Sequence, residues 1–420
     1  SQNQNIATRN KGTHFLGQPL YCQALSLLNK PAVLQYSCKH SGEHYVKSFD
    51  AWTHLAVMLY AVIHRFDSLR EITASLQADA RKLSHLGICN ISARSTLSIN
   101  ANRRRPQAIF ADTYRDLYAR YRPMLSSDSR VKPKEPQWMK RLQIIDSTTI
   151  TLFSNLIFKG GRNPKRGKKK GGIKVHTVIH ASEGVPSDIR FTSAATHDSF
   201  MLCPCTLAQG AIIAMDRAYI DYAKFEQMTR RGIVYVTKMK SGLNYEVLKD
   251  EMIQTTEGLM QVCIQDVVLT KKVKAGELIE HRAKIITYPD VNQEEADQFL
   301  TNDFDLDPLD IIEIYRKRWT IELLFKQNKQ NFPLKYFYGE SANAIQIQVW
   351  VTLIANLLLI VMKRQLKRSW SFSGLATLVR IVLMYYVDFY SLFEHPESDW
   401  KAIFEPKEAP PEPNFGWGAY

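Results

Sequence analysis

The chain has 420 residues, 45% of them hydrophobic and 23% charged, which is the composition of a folded globular protein long enough for two or three domains. A net charge of +14 and a pI of about 9.3 favour a polyanionic partner, either nucleic acid or an anionic membrane surface. Cys22, Cys38, Cys89, Cys203, Cys205 and Cys263 have no disulfide-framework spacing, which excludes a small secreted scaffold.

In chain order, residues 1–12 form a polar lead-in without an apolar segment, so neither secretion nor an anchor is indicated and a cytoplasmic location is expected. Residues 13–137 carry helical periodicity in "PLYCQALSLL", "DAWTHLAVMLYAVIHRF" and "SLREITASLQADARKL", which predicts an all-α N-terminal domain. Cys38, His40 and His44 lie close together, but no second ligand pair at finger spacing follows. Near its end, "NISARSTLSINANRRR" offers Ser92 as a helix cap and Arg94, Asn100 and Asn102, followed by Arg103 and Arg104, as candidate readers of a DNA major groove. A polar, Pro-containing stretch at 126–138 closes the segment.

Strands then dominate. "LQIID", "TITLF", "IKVHTVIHA", "SDIRFTS", "AIIAMD" and "GIVYVTKM", with a helix before the last, predict a mixed α/β sheet over 138–240. Between two of these strands runs "KGGRNPKRGKKKGGIK", in which Lys159, Arg162, Lys165, Arg166, Lys168, Lys169 and Lys170 have no acidic neighbour; it is either a solvated loop or a clamp on a phosphate backbone. Short alternating runs over 241–302 predict a β insertion, and helices resume over 303–390. The apolar stretch Val349–Met362 is too short to span about 30 Å of hydrocarbon and holds Thr352 and Asn356, so it reads as a buried core helix, with no membrane implied. Residues 391–420 are a tail containing Pro406, Pro410, Pro411 and Pro413.

Two patterns carry chemistry. In "YRKRWTIELLFKQNK", at about 100° per residue, Tyr315, Arg318, Glu322 and Lys329 project at roughly 0°, 300°, 340° and 320°, with Lys326 beside them. Ile314, Ile321, Leu324, Phe325 and Phe332 gather on a neighbouring arc, so the polar stripe is displayed by a helix docked on a core. The second pattern is Asp146 and Asp216, each ending an apolar strand at the rim of a sheet. With Glu322 they make an oxygen-only set suited to two hard cations, Mg²⁺ with Mn²⁺ as a substitute, as two-metal phosphoryl transfer requires.

These residues resemble a known signature. "DST" at 146–148, "MDRAY" at 215–219 with Asp221 after it, and Tyr315-x2-Arg318-x3-Glu322-x6-Lys329 are similar to the motifs of bacterial DDE transposases of the insertion-sequence-four family, with support from "GGIKVH" at 171–176, "FLTNDFDL" at 299–306 and "GESANAIQIQVW" at 339–350. The resemblance implies a ribonuclease H-like core interrupted by a β insertion, Asp146, Asp216 and Glu322 as metal ligands, and Tyr315, Arg318 and Lys329 on DNA phosphates. It further implies a homodimer acting on double-stranded DNA, with the terminal inverted repeats cut and joined to target DNA. Relatives that cleave through a hairpin stack a flipped base on a Trp in the insertion; none lies between Trp138 and Trp319, which leaves Trp319, Tyr288 or another aromatic for that task, or no hairpin at all. A structure-specific nuclease would need the acids without the stripe, and a non-catalytic derivative should have lost an acid.

Overall fold

The computed structural model describes residues 17–44, 46, 48–88, 93–126, 135–151, 172–254, 261–272, 278–289, 296–334 and 336–398. Arg162, Lys165, Arg166, Lys168, Lys169 and Lys170 of the basic run, and Ser92, lie outside them. The helices are α1 (Leu20–Leu25), α2 (Lys30–Lys39), α3 (Ala51–His64), α4 (Leu69–Ala78), α5 (Ala80–Leu83), α6 (Ala108–Ser126), α7 (Tyr222–Arg230), α8 (Pro308–Lys317), α9 (Trp319–Asn331), α10 (Ala342–Gln365), α11 (Phe372–Val382) and α12 (Phe389–Glu394). Their starts follow local chemistry: Asn29, Asp50, Ser68 and Ser341 each accept the amide three residues on, and Glu71 reaches back across the start of α4, accepting from Ser68 Oγ and the Asp67 amide.

Helices from both ends of the sequence share one apolar core. Leu55, Leu59 and Ile63 of α3, Phe110 and Tyr114 of α6, Trp350, Ile354 and Leu358 of α10 and Val379 of α11 belong to it, together with Val175 and Ile189 from the sheet. Burying α3 and α10 almost all round explains why both read as continuous apolar runs. The apolar stretch expected to be too short to span a membrane is part of a 24-residue helix that is long and apolar enough to do so, with 89% of its most apolar window buried. Its two internal amide side chains are satisfied: Gln348 donates to the Pro333 and Tyr336 carbonyls and accepts from the Tyr338 amide, and Asn356 donates to Asn328.

The candidate groove-reading segment is a π-helix, Thr96–Arg103, and it is anchored inward. Asn102 is fully buried, with its Oδ1 2.7 Å from the His54 ring Nε2, and so is withdrawn from the exposed readers; a buried imidazole must have a polar partner. Arg105 is buried too and donates to the Phe49 and Gly42 carbonyls. Arg94, Arg103 and Arg104 are exposed, and Asn100 lies on the same segment.

Nine strands form one sheet: β1 (Leu142–Thr151), β2 (Gly172–His180), β3 (Pro186–Ser193), β4 (Ile212–Met215), β5 (Val234–Lys238), β6 (Tyr245–Gln254), β7 (Gln261–Lys272), β8 (Leu278–Tyr288) and β9 (Asp297–Thr301), in the order β3-β2-β1-β4-β5-β9-β8-β7-β6. β1, β2 and β3 are antiparallel neighbours, β1, β4 and β5 run parallel, and β9 returns antiparallel to β5. The strands over 245–288 therefore extend the main sheet. "LQIID" and "TITLF", expected as two strands, begin as one: β1 runs unbroken from Leu142 to Thr151 because β2 pairs with it from Gln143↔His180 to Thr151↔Gly172. Alternation sorts the side chains into two layers, Ile145, Ile213 and Tyr235 against α7 on one face and Ile144, Ile212 and Val236 against α8 and α9 on the other.

The fold's polar interior sets its response to acid. Burial pushes the His54 imidazole down to about 3 and His64 and His176 each down to about 4. The unfolded chain binds these protons near pH 6.5 and the folded one does not, so stability is full above that pH and falls as pH drops toward the folded values. A fully buried histidine such as His54 should remove about 2 kcal/mol by pH 5. The thermal midpoint is expected to drop by several degrees between pH 7 and pH 5, and by less in His54→Gln relative to its own pH 7 value; a flat profile would contradict the buried neutral state.

Candidate active site

Register brings the two aspartates together. β1 and β4 pair in parallel as Leu142↔Ile212 through Ile145↔Met215, so Asp146 and Asp216 are the next pair in line, where β4 ends and β1 continues. Asp146 is thus mid-strand, contrary to the expectation that it ends one, and it is the neighbouring strand that runs out. Each carboxylate accepts the amide that follows it, Ser147 N at 2.7 Å and Arg217 N at 2.8 Å. Asp221, the third acid of this stretch, accepts from the Lys224 amide as the cap of α7.

Glu322 arrives from the other side of the sequence. The helix expected over 315–329 is divided at Arg318, which ends α8 and starts α9 while keeping helical dihedrals, φ −52° and ψ −31°. The apolar arc docks as expected: Ile314, Ile321, Leu324 and Phe332 are buried, whereas Phe325 is half-buried. α9 crosses β1, with Lys329 Nζ donating to Thr148 Oγ1 at 3.0 Å, two residues from Asp146 on the same strand face.

Arg318 does not point outward. Its guanidinium donates to Glu322 Oε1 at 2.6 Å and lies 3.5 Å from Asp146 Oδ2, and it stacks over the Tyr315 ring, which packs on Phe299. Burial opposes its charge, but Tyr315, Glu322 and Asp146 outweigh that and hold it protonated. Burial pushes the Asp146 carboxyl up to about 6; the Ser147 amide and Arg318 favour its charge, and Asp216 and Glu322 oppose it. Asp146 thus feels the charge of both other acids, yet among the described residues no group of three or more His, Cys, Asp or Glu side chains is gathered closely enough to hold an ion. A cation of the protein's own stands between two of them.

A second layer fixes β1 from behind. Ser147 Oγ donates to Asp198 Oδ1 at 2.6 Å, and Lys174 Nζ donates to the same oxygen at 3.1 Å and to the Thr196 carbonyl. Tyr219 of "MDRAY" is buried there, its pKa raised first by burial and then by the Asp146 and Asp198 charges. Asp198 escaped the sequence reading, since a lone Asp opening a short 3₁₀ turn carries no periodic signal.

Asp146 and Glu322 line an open cleft of about 1060 Å³ whose walls include Lys326, Lys329, Phe325, Tyr336, Arg65 and Arg380. Asp216 and Trp319 do not line it, although Trp319 is exposed on α9; Arg94, Arg103 and Arg104 are also outside its lining. Tyr288 lies under the Arg316 guanidinium. Tyr336 is the exposed aromatic that faces the cleft. Arg65, Arg380 and Tyr336 lie on three separate segments and share no motif, so nothing in the linear sequence groups them.

Residues 137–358, more than half of the chain, match the family model described as the transposase DDE domain, and residues 16–89 match a domain of unknown function. A putative transposase of Sinorhizobium fredii is 27% identical over 265 residues, 62% of this chain and 69% of that one. A probable insertion-sequence transposase of Geobacillus stearothermophilus is 24% identical over 237 residues, 56% and 60% of the two chains, and a putative one of Synechocystis is 24% identical over 218 residues, 51% and 58%. The matches span 58% to 69% of these relatives' own lengths. A solved piggyBac transposase synaptic complex with hairpin DNA aligns with TM-score 0.38 and 11% identity over 93% of this chain and 85% of that one, a level at which the alignment carries no argument.

Proposed function

The chain belongs to the transposase DDE domain family, and from that premise we propose that it binds the terminal inverted repeats of an insertion sequence, cleaves the DNA at their ends and joins the freed 3′-hydroxyls to target DNA. The observation that carries the reading is that Asp146, level with Asp216 on two adjacent parallel strands, and Glu322, from a helix far along the chain, share the Arg318 guanidinium and line one cleft with Lys326 and Lys329 on its wall. The strand order β3-β2-β1-β4-β5, antiparallel and then parallel, supports a ribonuclease H-like core.

The acids fit divalent cations by their chemistry: oxygen donors only, with enough mutual repulsion that the protein supplies Arg318 as a counter-charge. Asp146, Asp216 and Glu322 would hold Mg²⁺, for which Mn²⁺ would substitute, once Arg318 releases Glu322. Such ions lower the pKa of an attacking water or hydroxyl and stabilise the leaving oxygen. The residues around them bind and orient. Lys326 has no protein partner among the described residues, and Lys329 holds only Thr148, so both ammonium groups are available to backbone phosphates beside the scissile bond. Tyr315 sets the plane of the Arg318 guanidinium by stacking. Two ends must be cut together for mobilisation, which requires a homodimer on the DNA.

The test is a labelled duplex carrying the element's own end, incubated with the full chain and Mg²⁺ in the presence of an unlabelled target plasmid. Nicking at the element boundary and transfer of label to the plasmid are expected, both abolished by EDTA. Cleavage without transfer would instead identify a nuclease on the same core, and neither activity in Mg²⁺ or Mn²⁺ would overturn the reading.

A further inference from the structure

Arg65 holds a backbone conformation that its side chain disfavours. Helix α3 ends in a Schellman motif, with the Phe66 amide donating to the Ala61 carbonyl at 3.1 Å and the Arg65 amide to the Val62 carbonyl at 3.2 Å, which puts Arg65 in the left-handed region at φ 62° and ψ 39°. Glycine is the favoured residue at that position because any Cβ crowds the following carbonyl. Elsewhere among the described residues this chain follows the rule, with glycine at 87, 184, 210, 232 and 242; Ser41 is the other non-glycine at positive φ. Backbone strain kept at a surface position asks for a reason in the side chain.

The Arg65 side chain is exposed, lines the cleft that holds Asp146 and Glu322, and has no hydrogen bond or ion pair among the described residues. Beside it stands a second cation. Arg380 of α11 donates to the Ile63 carbonyl at 2.9 Å and the Asn331 carbonyl at 3.1 Å, capping the C-terminal ends of α3 and α9 where they meet. Those bonds absorb the negative ends of the two helices, so the Arg65 charge is surplus to the fold. The two guanidinium groups also repel: after burial, Arg65 is the cause that lowers the Arg380 pKa. An unpaired cation held near a like charge, in strain, at the edge of a cleft that carries Lys326 and Lys329 as well as Asp67, Asp146 and Glu322, calls for an anion from outside.

Building on the transposase reading, the geometry points to Arg65 as a phosphate-binding residue that continues the DNA track from Lys326 and Lys329 onto the N-terminal helices, contacting the duplex backbone without reading its sequence. The N-terminal segment would then take part in the cleavage cleft itself, in addition to any end recognition it performs.

The test measures binding of the full-length chain to a fluorescein-labelled duplex of mixed sequence across a salt series, with thermal melting in parallel. Arg65→Gly is expected to melt no lower than wild type, to bind about five- to tenfold more weakly, and to lower the log–log salt slope by about one. Arg65→Lys should keep most of the affinity, and Ser41→Gly, which relieves the same kind of strain elsewhere, should leave binding unchanged. If Arg65→Gly melts lower, Arg65→Gln removes the charge while keeping the backbone as it is, and it must show the same loss of affinity and slope. Unchanged affinity and slope in Arg65→Gly or Arg65→Gln, with a wild type that binds the duplex in a salt-sensitive way, overturns this inference alone. A wild type without salt-sensitive duplex binding overturns the functional reading and this inference with it.

Discussion

Asp216→Asn is expected to reduce Mg²⁺-dependent strand cleavage about a thousandfold or more, a barrier increase of about 4 kcal/mol or above, while duplex binding and the thermal midpoint stay near wild type. The amide keeps the shape of the side chain and the oxygen that accepts from the Arg217 amide, so the turn after β4 is preserved. What it removes is the anionic charge that the metal-holding role proposed for this position requires, level with Asp146 across two parallel strands. Asp221→Asn is the internal control. That carboxylate caps α7, and asparagine caps a helix about as well, so near-normal cleavage is expected. Cleavage of a labelled end at wild-type rate by Asp216→Asn, or equal losses in the two variants, would remove Asp216 from the metal set.

Much of this arrangement was legible because it is periodic or local. The apolar run "AIIAMD" announces a covered strand, and the structure buries all of Ile212, Ile213, Ala214 and Met215. The arc of Ile314, Ile321, Leu324 and Phe332 announces the docked face of α8 and α9, and it is the buried one. What escaped was cross-chain. A helical projection puts Arg318 on a displayed stripe, but it cannot know that Asp146, 172 residues earlier in the chain, waits at that spot to turn a phosphate donor into a carboxylate partner. Asn102 escaped in the same way, since its polarity suggested a groove reader until His54, 48 residues away, claimed it. Arg65 was hidden by its own identity: a glycine would have marked the helix end, whereas an arginine there reads as one more surface cation.

That position of Arg318 changes what its removal should do. Were it only a phosphate holder, Arg318→Ala would slow later steps of the reaction, as is expected of Tyr315→Phe and Lys329→Ala, whose side chains contact Arg318 and Thr148 and leave the carboxylates untouched. Because the guanidinium bridges Glu322 and Asp146, its loss leaves two facing acids, 33% and 17% exposed, with no counter-charge. Stranding one side of such a pair costs about 3–5 kcal/mol when fully buried, and partial exposure reduces this to about 1–2 kcal/mol. Arg318→Ala is therefore expected to melt a few degrees lower than wild type in EDTA. Mg²⁺ should restore more stability to this variant than to wild type, since Asp146 and Glu322 would be free to hold the ion with no guanidinium competing for them. In a time course on labelled ends, Arg318→Ala should slow the first nick more than Tyr315→Phe or Lys329→Ala does, because Glu322 loses the contact that orients it toward Asp146. Tyr315→Phe and Lys329→Ala should still nick and then accumulate nicked or unjoined product. An Arg318→Ala protein that melts like wild type in EDTA and nicks normally would show that the bridge to Glu322 and Asp146 contributes nothing to the site, and would return Arg318 to the phosphate-holding role that the helical stripe suggests on its own.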